Sequence, residues 1–231
     1  MQISLLMAQA AEAVEVAASQ PQVNETTYFQ LVFAKNSLWI MIPLFLMLAF
    51  AIYLFVKKMI VLNRASKEEH NFMNNIRDFI HDGKLDSAVA LCKGNDTPTA
   101  RLIEKGLSRI GHPLEDIRTA IENEGNLEVE RLEKGVSALA TIAAIAPMLG
   151  FLGTVVGMVS AFHAMAADPN NFNIGTLSNG IYTAMITTVA GLIVGVITLV
   201  LHNFIVSKIS NVVYLLEVRT TEFMDLLHEN A

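Results

Sequence analysis

The sequence predicts an all-α integral membrane protein with three transmembrane helices, two of them extended far into the cytoplasm, and a small helical cytoplasmic domain. Of the 231 residues, 53% are hydrophobic and only 16% are charged, below the ~25% of typical soluble domains. The apolar residues are clustered in three runs without Asp, Glu, Lys or Arg. Each run supplies the ~20 residues that a helix needs to cross a bilayer. Between the first two runs, apolar residues recur at helical spacing.

Residues 38–56 are predicted to form transmembrane helix 1. Trp39 and Tyr53 lie near its two ends, where amphipathic aromatic side chains favour the membrane interface. Residues 1–37, rich in Ala, Glu and Gln, are predicted to be a periplasmic N-terminal tail. A cleaved signal peptide ending at Ala8-Gln9-Ala10 is a weaker alternative, because its apolar part is short and no basic residue precedes it.

Residues 57–135 are predicted to form the cytoplasmic helical domain, which turn signals divide into short helices. Asp82-Gly83 and Gly94-Asn95-Asp96 each end a helix, and Thr97-Pro98 begins the next as its N-cap and first residue. A fourth helix begins after Gly111-His112-Pro113. These signals predict a small domain of packed helices.

Residues 136–165 are predicted to form transmembrane helix 2. From Pro113 to about Met165 we expect one continuous helix, about 80 Å long, of which half projects from the bilayer. We expect Pro147 to kink this helix within the membrane. One face carries small residues at steps of three and four: Ala140, Ala143, Pro147, Gly150, Thr154, Gly157, Ala161 and Ala164. Such a face lets a membrane helix approach its neighbour closely.

Residues 166–175 are predicted to form a periplasmic turn, 176–206 transmembrane helix 3, and 207–231 a cytoplasmic C-terminal helix. Of the 16 Lys and Arg residues, all except Lys35 lie either between the first two spans or after the third. Because cytoplasmic loops are enriched in Lys and Arg, the N-terminus is expected in the periplasm and the C-terminus in the cytoplasm. This topology predicts a multi-pass membrane protein whose chain crosses the bilayer three times.

The predicted spans hold almost no titratable side chain, since they lack Asp, Glu, Lys and Arg and have only His163 and His202 toward their ends. The sequence has no metal-ligand spacing, phosphate-binding loop or nucleophile–base arrangement, so we expect no enzyme and no cofactor. The net charge of -6 gives no reason to expect nucleic acid. What remains in spans 2 and 3 is a set of hydroxyls: Thr141, Thr154, Thr183, Thr187, Thr188 and Thr198. Taken singly, such a threonine usually bonds a main-chain carbonyl or a neighbouring helix.

Two motifs taken together resemble the MotA/TolQ/ExbB proton channel family. The stretch Pro147-Met-Leu-Gly-Phe-Leu-Gly-Thr-Val-Val-Gly157 looks like the second transmembrane segment of that family, and Gly180-Ile-Tyr-Thr-Ala-Met-Ile-Thr-Thr-Val-Ala-Gly191 looks like its third. The resemblance covers roughly Leu38 to the C-terminus. Three spans make the chain more similar to ExbB and TolQ than to MotA, which has four.

The resemblance implies a homopentamer whose second and third helices line a central pore. That pore holds two copies of a single-span ExbD-like or TolR-like subunit, which supplies a membrane aspartate that takes up and releases protons. Proton flow then drives a TonB-like or TolA-like protein that reaches across the periplasm. The pore and proton pathway are expected at Thr154, Thr188, Thr183 and Thr187, and helix packing in the pore at Pro147, Gly150, Gly157 and Gly191.

One position departs from the pattern of ExbB and TolQ. Their third span usually carries a glutamate where this chain has Thr183. A hydroxyl does not titrate near neutral pH, so it can orient water or bond a carboxylate but cannot store a proton. A proton-carrying carboxylate must therefore come from another subunit.

Several alternatives stay open at this point. A TolQ-type subunit of the Tol-Pal envelope-integrity system, or a related gliding or secretion motor, would use the same residues. A non-conducting membrane scaffold assembled through the glycine faces, a small solute transporter and sodium in place of protons are further alternatives. Lys57, Lys58 and Arg64 follow the first span directly and are candidates for contact with anionic membrane lipids.

Overall fold

The computed structural model describes residues 38–66, 71–167 and 174–229, and these residues form seven helices without a β-strand. We number them in chain order as α1 Leu38–Ala65, α2 Phe72–His81, α3 Leu85–Gly94, α4 Pro98–Leu107, α5 Leu114–Glu133, α6 Val136–Ala167 and α7 Ile174–Glu229. The all-α fold is confirmed. The predicted tail 1–37, the centre of the predicted turn (168–173) and the last two residues lie outside the described residues.

Three stretches are long and apolar enough to cross a membrane, in α1, in α5 together with α6, and in α7. The longest single helix is α7, with 56 residues, which corresponds to about 84 Å. It runs without interruption through the predicted segment 176–206 and through 207–229 of the predicted C-terminal helix. Many large apolar side chains along these helices are exposed, for example Phe151, Val159 and Val200 at about two thirds. Such exposure suits helices that face lipid or another subunit.

The short helices of the predicted cytoplasmic domain begin and end where the turn signals predict. The Thr97 hydroxyl accepts a hydrogen bond from the Ala100 N–H at 3.3 Å, and Pro98 is the first residue of α4. The turns after α2 and α4 use Gly83 and Gly111, with φ of 70° and 97°, a region that disfavours side chains with a Cβ. The signals at Gly83, Thr97-Pro98 and Gly111 therefore mark real helix boundaries.

The expectation of one continuous helix from Pro113 to Met165 was wrong. The helix is interrupted at Lys134 and Gly135, where Lys134 leaves the helical region (ψ 118°) and Gly135 has a φ of 87°. The physical reason is this left-handed backbone conformation, which glycine adopts at little cost. Two helices, α5 in the predicted cytoplasmic domain and α6 in the predicted span, therefore meet at a joint.

One hydrophobic core connects the end of α1, the short helices and the second half of α7. Its most buried large side chains include Leu62, Phe72, Ile103, Ile121 and Phe223. A smaller cluster joins α1, α6 and α7 near the other end, through Ile40, Leu44, Ala146 and Val194. Packing on α7 thus organises both the cytoplasmic helices and the membrane-length helices.

Candidate functional site

The candidate site lies where α6 and α7 touch along their backbones. A Cβ built on Gly191 would lie 2.7 Å from the Ala146 carbonyl oxygen and 2.8 Å from the Gly150 Cα. One built on Gly150 would lie 2.9 Å from the Thr187 carbonyl oxygen. These distances leave no room for any side chain, so glycine at both positions sets how closely the helices approach.

The same contact continues toward both ends of the helix pair. A Cβ on Gly195 would lie 2.6 Å from the Pro147 Cγ, and one on Gly157 would lie 2.7 Å from the Ala184 Cβ. The four residues predicted for helix packing, namely Pro147, Gly150, Gly157 and Gly191, therefore all lie at the α6–α7 contact within one chain. Their placement in a pore between chains stays a prediction.

Gly153 belongs to this contact, although the sequence analysis did not single it out. The Thr187 side chain fills the space where a Gly153 side chain would be. The available signal was its spacing, because Gly150, Gly153 and Gly157 follow one another at steps of three and four along α6.

Two adjacent threonines of α7 direct their hydroxyls toward one carbonyl of α6. The Thr188 hydroxyl donates to the Gly150 carbonyl oxygen at 2.9 Å. The Thr187 hydroxyl lies 2.6 Å from the Ala184 carbonyl oxygen and 3.4 Å from that of Gly150. Thr187 is only 2% exposed, so within one chain it lies inside the helix contact and Thr188 lies at its half-buried edge.

The other two predicted pore residues lie beside this contact and bond to their own helices. The Thr154 hydroxyl donates to the Phe151 carbonyl at 2.7 Å, and the Thr183 hydroxyl donates to the Asn179 carbonyl at 2.8 Å. Both side chains are half-buried. Because the hydroxyl hydrogen is used within the helix, the oxygen lone pairs are what Thr154 and Thr183 can offer to a ligand or water.

Thr198 lies deeper in the protein than any of the four. It is fully buried, and its hydroxyl donates to the Val194 carbonyl at 2.8 Å. Val194 belongs to the small cluster that includes Ile40 and Leu44 of α1. Thr198 is thus a packing residue, in agreement with the usual behaviour of threonine in membrane helices.

The chemistry available at this site is limited to hydrogen bonding. The helical segments 136–165 and 176–206 contain no Asp, Glu, Lys or Arg. Within the described parts of the chain, no group of three or more His, Cys, Asp or Glu side chains could hold a metal ion. Hydroxyls and main-chain carbonyls can orient water or a carboxylic acid, whereas storage of a proton needs a titratable group from elsewhere.

Outside the membrane-length segments, one ion-pair network is buried between α4 and α5. Glu128 is 1% exposed and receives two hydrogen bonds from Arg101, both at 2.8 Å, and a further one from Arg131. Burial raises the pKa of Glu128, but the hydrogen bonds and charge of Arg101, together with Arg131, outweigh burial, and the net pKa is lowered. The pair therefore stays charged and fastens α5 to α4.

Comparisons with known proteins show which family the chain resembles. Residues 94–218 match the MotA/TolQ/ExbB proton channel family. The chain is 34% identical to an ExbB homolog of Methanothermobacter thermautotrophicus over 117 residues, which are 49% of this chain and 40% of that protein. It is 28% identical to the biopolymer transport protein ExbB of Neisseria gonorrhoeae over 168 residues, 66% of this chain and 74% of the relative.

The chain is also similar to a relative with a different name. The chain is 30% identical to the Tol-Pal system protein TolQ of Haemophilus influenzae over 106 residues, 46% of each protein. The family match covers more than half of the chain and includes α4 to α6 and most of α7. With its three membrane-length helices, the chain is a multi-pass inner-membrane protein that belongs to the MotA/TolQ/ExbB proton channel family.

Proposed function

We propose that the chain is the pore-forming subunit of an inner-membrane motor of the ExbB–ExbD type, which uses the proton-motive force to energise TonB-dependent outer-membrane transport. The observation that supports this proposal most directly is the Thr188–Gly150 contact between segments 136–165 of α6 and 176–206 of α7, which contain no Asp, Glu, Lys or Arg. It provides hydrogen-bonding groups at membrane depth without a charge that would trap an ion. The chain acts by conduction and movement and catalyses no covalent reaction.

The working assembly in this proposal is a homopentamer around a single-span ExbD-like or TolR-like subunit. The partner supplies the membrane aspartate, because this chain has Thr183 where a carboxylate would otherwise stand. Thr154, Thr183 and Thr188 face the partner, while Thr187 fastens α6 to α7 from inside the contact. The N-terminus lies in the periplasm and the C-terminus in the cytoplasm.

Two isosteric substitutions test conduction. We expect Thr154→Val and Thr188→Val each to assemble in the membrane and to abolish energised transport, since valine keeps the shape and removes the hydroxyl. Thr141→Val is the matched control, because the Thr141 hydroxyl likewise donates to a carbonyl of its own helix, Ser137 at 2.9 Å, and its side chain is exposed. Full transport by both test variants would contradict the proposal.

The second candidate function is that of a TolQ-type subunit in envelope integrity. The 30% identity to TolQ of Haemophilus influenzae supports it. Expression of the chain in one host without ExbB and another without TolQ discriminates the two. Restored siderophore uptake supports the first function, and restored detergent resistance supports the second. Purification of the chain from its native membrane, followed by mass spectrometry, identifies the partner. Recovery of the chain without a partner would favour the alternative of a non-conducting membrane scaffold.

A further inference from the structure

Helix α1 reaches the end of α5 through the side chain of a single lysine. The Lys58 ammonium donates a hydrogen bond to the Leu132 carbonyl oxygen at 2.9 Å and lies 3.4 Å from that of Arg131. Both carbonyls belong to the last turn of α5, where no N–H further along the helix is available to bond them. A positive charge here also meets the negative end of the helix dipole. Lys58 thus caps the C-terminal end of α5, a helix that begins more than 50 residues later in the chain.

The backbone leaves the helical conformation directly after these carbonyls. Lys134 still donates its N–H to the Glu130 carbonyl at 3.0 Å, but the next residue, Gly135, has a φ of 87°, and α6 starts at Val136. This joint is the only covalent connection from the cytoplasmic helices into the predicted second span. The joint depends on the positive φ of Gly135, and glycine by itself has little preference for that conformation.

The end of α5 is also held from the opposite side. The Arg131 side chain bonds the buried Glu128, which in turn bonds Arg101 of α4. The carbonyl of the same Arg131 is near Lys58. A chain of polar contacts therefore runs from α1 through the last turns of α5 to α4. Because α5 is held by both α1 and α4, α6 can change its direction relative to α5 only at the joint.

We propose that Lys58 is a latch, which ties the last turn of α5 to α1 and thereby holds the joint at Gly135 in the non-helical conformation seen here. A change in the angle between α6 and the cytoplasmic helices requires the Lys58 ammonium to leave the α5 carbonyls. The latch does not depend on the proposed ion conduction. The two adjacent lysines therefore have different roles. Lys57 is exposed and available to lipid headgroups, whereas Lys58 is half-buried and donates a hydrogen bond to the Leu132 carbonyl.

Hydrogen exchange of the full-length protein in lipid nanodiscs tests the latch, with Lys57→Met as the matched control. We expect Lys58→Met to raise the exchange rate of the hydrogen-bonded amides at residues 131–134, in the last turn of α5, about tenfold, because local opening sets that rate. Lys57→Met should leave it unchanged, and Lys58→Arg, which keeps a cationic donor, should restore most of the protection. Gly135→Ala should raise exchange at the same amides while Lys58 is intact, since alanine disfavours the observed φ.

Two results would overturn the latch. In one, Lys58→Met and Lys57→Met give the same exchange at residues 131–134. In the other, Lys58→Met raises exchange equally throughout α2, α3 and α4, which would make Lys58 a general stabiliser of the domain. If Lys58→Met does not accumulate in the membrane, Lys58→Gln removes the charge, keeps a shorter donor and allows the same comparison.

Discussion

The hydroxyl of Thr188 in α7 donates a hydrogen bond to the carbonyl oxygen of Gly150 in α6, across 2.9 Å. The bond forms only because residue 150 has no side chain, since a Cβ there would lie 3.1 Å from the Thr188 Cα. A carbonyl of α6 thus serves two helices, because it also accepts the N–H four residues later in its own helix. The relationship explains why glycine and threonine occur together in this pair of helices.

The first prediction concerns the strength of this bond. We expect Thr188→Val to destabilise the α6–α7 contact by about 1 kcal/mol, the usual size of an interhelical hydrogen bond in a membrane. Thr188→Ser keeps the hydroxyl and should stay close to the original stability. Reversible unfolding in mixed micelles of detergent and lipid measures the difference. A loss for Thr188→Ser without a loss for Thr188→Val would show that the methyl group, and not the hydroxyl, stabilises the contact.

The second prediction concerns the closest approach of the two backbones. Gly191→Ala places a methyl group 2.7 Å from the Ala146 carbonyl oxygen, so the helices must move apart, at a cost of about 1–3 kcal/mol. We expect a lower midpoint of thermal unfolding and less assembled protein on native gels. Gly94→Ala is the control, because nothing lies within 4 Å of a Cβ at that position. An unchanged midpoint for Gly191→Ala would mean that the helices are less tightly packed than described.

Much of the fold follows from sequence because its signals are local. Charge-free apolar runs of more than the ~20 residues that cross a bilayer are typical of membrane helices. Thr97-Pro98 offers a hydroxyl acceptor and a residue that needs no partner for its nitrogen. Glycines at helical spacing likewise predict a close helix contact, and the contact contains Gly150, Gly157 and Gly191. Each of these inferences needs only a few neighbouring residues.

The remaining features depend on contacts between distant residues. Gly125 continues its helix, whereas Gly135 interrupts one. The residues next to each glycine in the sequence do not predict this difference, which coincides with the tertiary contact from Lys58 to the end of α5. Thr187 and Thr188 are identical neighbours, but they differ by about 100° around the helix. Which of them is buried depends on how α7 is rotated against α6, and packing alone decides that rotation.

The third prediction concerns the buried Glu128. Glu128→Gln weakens its bonds to Arg101 and Arg131 and should destabilise the helices of the predicted cytoplasmic domain by about 1–3 kcal/mol at pH 7. The loss is not larger because the two arginines are partly exposed to water, which can replace some of the lost interaction. Glu122→Gln is the control, since Glu122 forms an exposed pair with Arg118 that should contribute about 0.5 kcal/mol or less. Chemical denaturation followed by circular dichroism measures both. Equal losses for the two variants would contradict a special role for the buried pair.

The fourth prediction is the pH dependence of that difference. The pKa of Glu128 is lowered in the folded protein, so its ionised form stabilises the fold at pH values above the unfolded pKa of about 4.3. That contribution is lost as the pH falls through the lower, folded pKa. The stability difference between the original protein and Glu128→Gln should therefore be full at pH 7 and smaller below pH 4. A difference that stays constant over this range would show that Glu128 is not charged in the fold.

The fifth prediction uses Cys92, the single cysteine, as a probe of the cytoplasmic helices. Burial, with the charge of Glu104 as a second cause, raises the pKa of the Cys92 thiol to about 12, and its side chain is 2% exposed. Because the thiolate is the reactive form, we expect alkylation at pH 7.5 to be at least about a hundredfold slower than that of an exposed cysteine. Ala90→Cys in a Cys92→Ala background supplies the comparison, since residue 90 is exposed on the same helix. Alkylation of Cys92 should become fast only in denaturant. If the folded original protein and the folded variant are alkylated equally fast, α3 opens far more readily than its packing against α4 indicates.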